Sequence, residues 1–379
     1  MEMDKQKVVL LLLLDLSAAF DTIDHKILLH RLEKRCGITG TALKWFASYL
    51  SNRKQFVKVG DTESEKRALT YGVPQGSVLG PIFFCIYISP LGEIIENEGM
   101  DRQEYADDTG LYTSFSPTMV ESKQEMLNKV QKCLTAVKKF LLENKLKVSD
   151  DKTVLMLIGN KYWLDKLDFD SVYVGDTKVK SVDNTRNLGI IFDKEMNFED
   201  HIKNTCQKGY CNIKNLFHLG KFLDQPYRNI VAHSFVTSIL DYGNSLLHGL
   251  PWTKLERLQM LQNAAVRTVV KKRKYDRGIS QDRVDLNWLP VEARTKFKLA
   301  LITWKCLKYG EPVYLRNLLN LNTNVRQYYQ NTLEVPKTKT VTWGDTSFRK
   351  AAPILWNSLP NKVRNQKTKE SFRKALKTQ

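Results

Sequence analysis

The chain has 379 residues, of which 42% are hydrophobic and 26% charged, a composition that excludes a disordered or fibrous protein. The formal net charge is +18. Residues 254–379 hold 27 Lys and Arg against 9 Asp and Glu, so the surplus lies in the last third. A surplus of this size is typical of proteins with a polyanionic partner, either nucleic acid or an anionic membrane surface. The six cysteines lack zinc-ligand spacing and do not suggest a disulfide scaffold.

The first predicted element is an apolar strand, VVLLLLL at residues 8–14, which ends abruptly at Asp15. The run is too short to span a membrane, and acids lie among the residues before it. We therefore expect a fully buried central strand, no signal peptide, no transmembrane segment and an intracellular protein, nuclear or cytoplasmic. Because a buried carboxylate is costly unless it is paired or binds a cation, Asp15 is a candidate functional residue.

Helices and strands then alternate as far as about residue 193. Apolar spacing predicts helices, a hairpin and further strands. The helices are expected at 24–37, 41–52, 77–97 and 117–143, the hairpin at 53–60 and 66–73, and the further strands at 146–159 and 181–193. This order predicts an α+β fold with a mixed or antiparallel sheet and helices on one face.

Two short stretches in this region suggest chemistry. GVPQGSVLGP, residues 72–81, precedes a helix, and its glycines would let the backbone approach a ligand closely while Gln75 bonds a sugar or base. YADD places Asp107 and Asp108 at a hairpin tip. If the two strands are neighbours, Asp15 and Asp107 face one another and can share divalent cations. The alternatives are an ordinary turn at each stretch.

The remainder of the chain has helical periodicity. Helices are predicted at 198–223, 226–249, 252–272, 290–309 and 368–377, with a polar, irregular segment at 320–350. The basic run Lys271, Lys272, Arg273 and Lys274 would contact phosphates, with a nuclear-import signal or a solvated loop as alternatives. Trp304 and Trp356 are expected in the core. Trp252 and Trp288 also suit base stacking.

Taken together, five stretches in order resemble the palm of a reverse transcriptase, of the kind encoded by non-LTR (LINE-type) retrotransposons. They are LLLLDLSAAFDTIDH, GVPQGSVLGP, YADD, LKVSDDKTVLMLIG and NLGIIFD. Later stretches, including DYGNSLLHGLP and FRKAAPILWNSLP, resemble the C-terminal region of the CR1 and L2 branches. The resemblance implies a palm at 1–193, a helical thumb-like region at 194–310 and a basic C-terminal region at 311–379.

The resemblance also implies an activity and its site. The expected activity is RNA-directed DNA polymerase, a nucleotidyltransferase that extends a DNA primer on an RNA template with dNTPs and two Mg²⁺ ions, Mn²⁺ being possible. Asp15 and Asp107 would ligate both metal ions, the carbonyl of Leu16 would complete the site, and Asp108 would be a weaker or outer ligand. Other roles fall to Phe20 as steric gate, Gln75 at the incoming nucleotide or template strand, Gly76 in substrate binding, Tyr105 at the hairpin or primer end, Lys152 as general acid, and Leu188 and Gly189 as primer grip. The alternatives are a core Phe20 and a solvated Lys152.

The sequence departs from the family before its first motif. Only seven residues precede the strand that leads to Asp15, so the fingers and an upstream endonuclease are expected to be absent, as in a truncated copy. The alternative function is therefore a catalytically inactive, nucleic-acid-binding remnant. A group II intron-type or retron-type enzyme is a further alternative, against which the C-terminal stretches argue. A membrane-surface protein is the interpretation with the least support. No oligomeric state follows from the sequence.

Overall fold

The structure, a computed structural model, describes residues 1–322 and 331–378. It divides into two compact units. The first consists of Gln6–Thr185 with Glu2, and the second of Arg186–Gln379 with Met1 and Met3–Lys5. The predicted boundaries at residues 193 and 310 stay predictions.

The first unit has an α+β fold, as predicted. Its strands are β1 (Val8–Leu14), β2 (Leu16–Ser17), β3 (Lys54–Gln55), β4 (Lys58–Val59), β5 (Thr62–Glu63), β6 (Arg67–Ala68), β7 (Asp101–Tyr105), β8 (Asp108–Phe115), β9 (Lys147–Val148), β10 (Val154–Ile158), β11 (Ser171–Val174) and β12 (Thr177–Lys180). Its helices are α1 (His25–Lys34), α2 (Gly40–Leu50), α3 (Leu79–Ile88), α4 (Pro90–Asn97), α5 (Val120–Glu143) and α6 (Lys161–Leu164). The main sheet has the order β10-β1-β8-β7, and all of its pairs are antiparallel.

The central strand β1 is fully buried on one face only. Val8, Leu10, Leu12 and Leu14 are at most 3% exposed and belong to one core with residues of α3 and α5, while the residues between them are half-buried. The expectation of a strand buried throughout is therefore wrong. An uninterrupted apolar run does not distinguish these cases, because an antiparallel sheet needs cover on only one face.

The apolar stretch at 79–97 is long and apolar enough to cross a membrane, judged by length and composition alone. In the structure it is two helices, α3 and α4, which meet at Ser89 before Pro90. Phe84 and Tyr87 of α3 are fully buried in the core of the first unit. The stretch therefore contributes core helices, and no other described helix meets the same criteria.

The second unit is mainly helical, as the periodicity predicts. After β13 (Asn184–Asn187), which spans the division between the units, come β14 (Ile190–Asp193) and the helices α7 (Glu199–Leu219), α8 (Gln225–Ala232), α9 (Ser238–Asp241), α10 (Trp252–Val270), α11 (Ile279–Asp285), α12 (Val291–Tyr309), α13 (Val313–Arg316), α14 (Phe348–Ser358), α15 (Asn361–Arg364) and α16 (Lys369–Lys377). Short 3₁₀ or π segments lie at Met3–Lys5, Asp150–Lys152, His233–Thr237, Asn244–Leu247 and Val341–Asp345, the third of these joining α8 to α9. Part of the predicted irregular segment, 323–330, lies outside the described residues.

Tryptophans in the second unit pack largely as expected. Trp304 and Trp356 are 2% and 3% exposed, and both rings stack on Phe372. Trp288 is also buried, at 4%, so it cannot stack on a base. Trp252 is 52% exposed. The buried tryptophans therefore serve the core, and helical spacing places Trp304 and Trp356 on inward faces of α12 and α14.

Candidate active site

The carboxylate of Asp15 lies at the end of the central strand. The backbone carbonyl of Asp15 accepts a hydrogen bond from the Ser149 amide at 2.8 Å, which holds the end of β1 against the segment that follows β9. Leu16 follows at once and pairs with Val148 in the short β2–β9 ladder. The Oδ2 atom of Asp15 is buried and has no hydrogen-bond partner among the described residues. A buried carboxylate oxygen that accepts no hydrogen bond suits a cation ligand.

The two aspartates of YADD lie at a two-residue hairpin turn beside this strand. Tyr105 pairs with Asp108, so Ala106 and Asp107 form the turn, and Ala106 takes a left-handed φ of 53°. Strand β8 pairs with β1 up to Leu14 opposite Thr109. One step further along this register brings Asp15 opposite Asp108. The prediction that these strands are neighbours is therefore confirmed.

The charges of this turn repel one another. Burial, and then the carboxylates of Asp107 and Asp15, raise the pKa of Asp108 above its ordinary value. Three acids thus lie near one another at the ends of two inner strands, although none of the described residues form a group of three His, Cys, Asp or Glu side chains tight enough to be a preformed metal site. The donor chemistry fits a divalent cation, which would relieve this repulsion.

We expect Asp108→Asn to raise the thermal midpoint of the folded chain in EDTA at pH 7. A carboxyl whose pKa is raised by folding is proton-rich in the folded state, so its unfavourable ionisation destabilises the fold as the pH rises through that raised pKa. The gain should shrink as the pH falls towards the ordinary aspartate value of 3.8. Calorimetry across pH measures this, with the exposed Asp176→Asn as control. A variant less stable than wild type at pH 7 would contradict the stated repulsion.

Lys152 approaches the same carboxylate from the β9–β10 connection. The 3₁₀ turn at Asp150–Lys152 is anchored on Ser149, whose carbonyl accepts from the Lys152 and Thr153 amides. This places the Lys152 ammonium 3.4 Å from Asp15 Oδ2, as an ion pair without hydrogen-bond geometry, while the lysine side chain is 70% exposed. The structure thus brings Lys152 of the stretch LKVSDDKTVLMLIG to Asp15 of the stretch LLLLDLSAAFDTIDH.

The GVPQG loop is attached to the turn that follows Asp15. The Gly72 amide donates to the Ile23 carbonyl, and the His25 Nε2 donates to the Gly72 carbonyl, both at 2.8 Å. A Cβ on Gly72 would lie 2.8 Å from the Asp21 carbonyl oxygen, and φ is +82°, so only glycine fits here. The close approach serves packing between the two motifs, which the sequence alone did not indicate.

Gln75 is held by a residue that sequence analysis missed. Its Nε2 donates to both carboxylate oxygens of Asp21, at 3.1 and 3.4 Å. Since a carboxylate only accepts, the amide carbonyl of Gln75 is left as an acceptor for a ligand. Gly76, with φ of +79°, has nothing within 4 Å of an added Cβ, so glycine is needed there for the turn itself. The only sequence signal for Asp21 was its place directly after Phe20.

Phe20 and Tyr105 have contrasting surroundings. Phe20 is half-buried, with its ring 4.9 Å from that of Phe84, and its carbonyl accepts from the Val73 amide. Its ring therefore has core packing on one side. Tyr105 is 65% exposed beside the YADD turn.

The remaining predicted site residues lie in the second unit. Leu188 and Gly189 form a tight turn before β14, with φ of 47° and 81°, and the Tyr242 hydroxyl donates to the Leu188 carbonyl. Asp193, at the end of the same motif, accepts from the amides of residues 195, 197 and 198 and so shapes the entry to α7. The basic run 271–274 follows the end of α10.

Comparison with known proteins agrees with these motifs. Residues 2–192 match the family described as Reverse transcriptase (RNA-dependent DNA polymerase). The chain is 28% identical over 293 residues to the probable RNA-directed DNA polymerase from transposon BS of Drosophila melanogaster, which covers 74% of this chain and 31% of that protein. It is 24% identical over 269 residues to the RNA-directed DNA polymerase from mobile element jockey of the same species, covering 68% and 28%. The chain thus spans about a third of the length of these curated relatives.

Solved structures give a weaker similarity. The apo telomerase of Candida tropicalis has a TM-score of 0.38 at 14% identity, covering 79% of this chain and 50% of that one. The telomerase of Candida albicans with a fragment of telomeric RNA has a TM-score of 0.34 at 14% identity, covering 74% and 46%. Neither value is high enough to assign residues, so the assignment rests on the sequence matches. The predicted family is confirmed: the chain belongs to the reverse transcriptase (RNA-dependent DNA polymerase) family.

Proposed function

We propose that this chain is an RNA-directed DNA polymerase, which adds dNTPs to the 3′-hydroxyl of a DNA primer on an RNA template. The observation that carries the proposal is the buried Asp15 Oδ2 at the end of β1, which accepts no hydrogen bond from the described residues and lies beside the YADD turn, within the matched family region. Asp15, Asp107, Asp108 and the Leu16 carbonyl would hold the two divalent cations, Mg²⁺ or Mn²⁺. When bound, such cations activate the primer hydroxyl and stabilise the pyrophosphate that leaves.

The side chains around the acids orient the nucleotide. Because Asp21 binds the Nε2 of Gln75, the side-chain carbonyl of Gln75 is left to accept from a sugar hydroxyl or a base amino group. Phe20, supported by Phe84, presents its remaining ring face near the sugar and would exclude a ribose 2′-hydroxyl. Lys152 would hand its proton to the pyrophosphate oxygen as the bond to phosphorus breaks, since it already lies beside Asp15.

Primer extension tests the proposal. Purified chain is given a DNA primer annealed to an RNA template, labelled dNTPs, and Mg²⁺ or Mn²⁺, and the matched variant is Asp107→Asn with Asp108→Asn. We expect template-dependent extension by the wild type and none by the variant. A wild-type chain that is folded by circular dichroism but extends no primer with either ion would overturn the proposal. Such a chain, if it still bound RNA, would fit the alternative of an inactive nucleic-acid-binding protein.

A further inference from the structure

A basic groove lies in the second unit, where α7 and α10 end. It encloses about 710 Å³, and no Asp or Glu lines it. The basic residues that line it come from two stretches about fifty positions apart in the sequence. They are Lys221, Arg228, Arg267, Lys271, Lys272, Arg273 and Lys274.

The basic side chains that line this groove differ in their partners. Arg228 is buried and donates to the Val269 and Leu223 carbonyls, and Lys272 is paired with Asp282. By contrast, the exposed side chains of Lys271, Arg273 and Lys274 form no ion pair in the described parts of the chain, 1–322 and 331–378, although the Arg273 backbone amide donates to Asp276. Uncompensated cations around a concave surface attract an anion strongly, because their fields add inside it.

Exposed aromatic rings accompany these cations. Phe217 lines the groove and is 60% exposed, and the Lys221 ammonium lies 5.9 Å from its ring centroid. Close by in sequence, Phe222 and Tyr275 are 87% and 85% exposed. Single exposed rings are ordinary on a protein surface, so what distinguishes these rings is their place among basic side chains. Aromatic faces among basic side chains are the surface on which unpaired bases stack while phosphates are neutralised.

The helix ends limit how the anion is held. α7 ends at Leu219 and α10 at Val270, so both present carbonyl groups with partial negative charge to this region. The partial negative charge at these helix C-termini explains why lysines lie nearby, but it does not explain why the phenyl ring of Phe217 is exposed. Since few backbone amides are offered, phosphates would be held by side chains, and binding would depend on salt more than on sequence.

We propose that this groove binds single-stranded nucleic acid, with phosphates at Lys271, Arg273 and Lys274 and a base stacked on Phe217. A duplex is disfavoured as ligand because its bases already stack on one another. The inference deepens the proposed polymerase function by giving a template or product strand a site outside the catalytic acids.

Fluorescence anisotropy with labelled 20-mers of oligouridylate and oligothymidylate tests it, in EDTA and without dNTPs so that polymerase chemistry plays no part. The triple variant Lys271→Gln, Arg273→Gln, Lys274→Gln should bind about tenfold or more weakly at 0.1 M salt. Its slope of log affinity against log salt should fall by about 2, since each phosphate contact on a single strand contributes about 0.7. The control is Lys305→Gln, Lys308→Gln, Lys367→Gln, which removes the same charge from exposed positions outside the groove and should leave the slope unchanged.

Substitutions of Phe217 distinguish the contribution of base stacking to affinity from that of charge. Phe217→Leu should weaken binding about tenfold without changing the salt slope, and Phe217→Tyr should restore affinity. The tighter of the two oligonucleotides identifies the strand as RNA or DNA. Four results would each overturn the inference. The groove and control triple variants could lose equal affinity, or Phe217→Leu could leave the affinity unchanged. The chain could also bind a duplex more tightly than a single strand, or show groove-dependent binding only to anionic phospholipid vesicles. A chain that extends no primer yet shows these effects would support the groove and contradict only the polymerase.

Discussion

Replacing Asp15 by Asn is expected to lower the rate of primer extension by about 10³-fold or more while the chain stays folded. Asp15 would ligate both cations, and a cation at a reacting phosphoryl group supplies several kcal/mol of transition-state stabilisation, which corresponds to about that factor. The amide has nearly the same shape but carries no charge. Because the Asp15 Oδ2 accepts no hydrogen bond from the described residues, its change to an amide removes the ion pair with the exposed Lys152 but breaks no hydrogen bond to that oxygen.

Two measurements distinguish loss of catalysis from loss of structure. Single-turnover extension gives the rate, and Mg²⁺-dependent thermal stabilisation reports cation binding without any reaction. Wild type and the control Asp176→Asn should both gain stability from Mg²⁺, whereas Asp15→Asn should gain little. Extension at more than a tenth of the wild-type rate by Asp15→Asn would rule this residue out as a ligand of catalytic cations.

The second large effect is expected at Lys152. Lys152→Ala should lower the rate of the chemical step by about 10²–10⁴-fold, the usual contribution of a positioned general acid. The ammonium lies 3.4 Å from Asp15 Oδ2, so the lysine also neutralises that carboxylate before cations arrive. Lys152→Arg separates the two roles, because guanidinium keeps the charge but does not give up its proton.

The readout is the pH dependence of single-turnover rates with saturating Mg²⁺. Loss of activity in both variants, with loss of the alkaline decline that a general acid produces, would support proton donation. Full activity of Lys152→Arg would show that only the charge matters. Lys161→Ala, which removes another exposed lysine from the same unit, serves as the control and should behave as wild type.

Some of this protein could be predicted from local sequence because the signals are short-range. An apolar run that ends on Asp15 predicts a strand, and periodic apolar residues predict α5 and most later helices. The α+β fold follows from the order of helices and strands, which the structure confirms, and the family follows from five motifs in order, which the comparisons confirm. The roles assigned to individual site residues stay predictions, since their chemistry has to be measured.

The features that could not be predicted from the sequence depend on contacts between distant residues. The split at Ser89 and the one-sided burial of β1 follow from packing, which an apolar run does not encode uniquely. The bond from Gln75 to Asp21 joins residues 54 positions apart.

By itself, then, the sequence determined which residues carry charge, apolar surface and turn propensity, and so the family and the candidate acids. Only the tertiary structure decided which of them meet. It brought Lys152 to Asp15 through one 3₁₀ turn and set Phe217 beside Lys271 through the ends of two helices. The physical reason is that backbone preferences act over a few residues, whereas sites are made by chain segments that pack together to bury apolar surface.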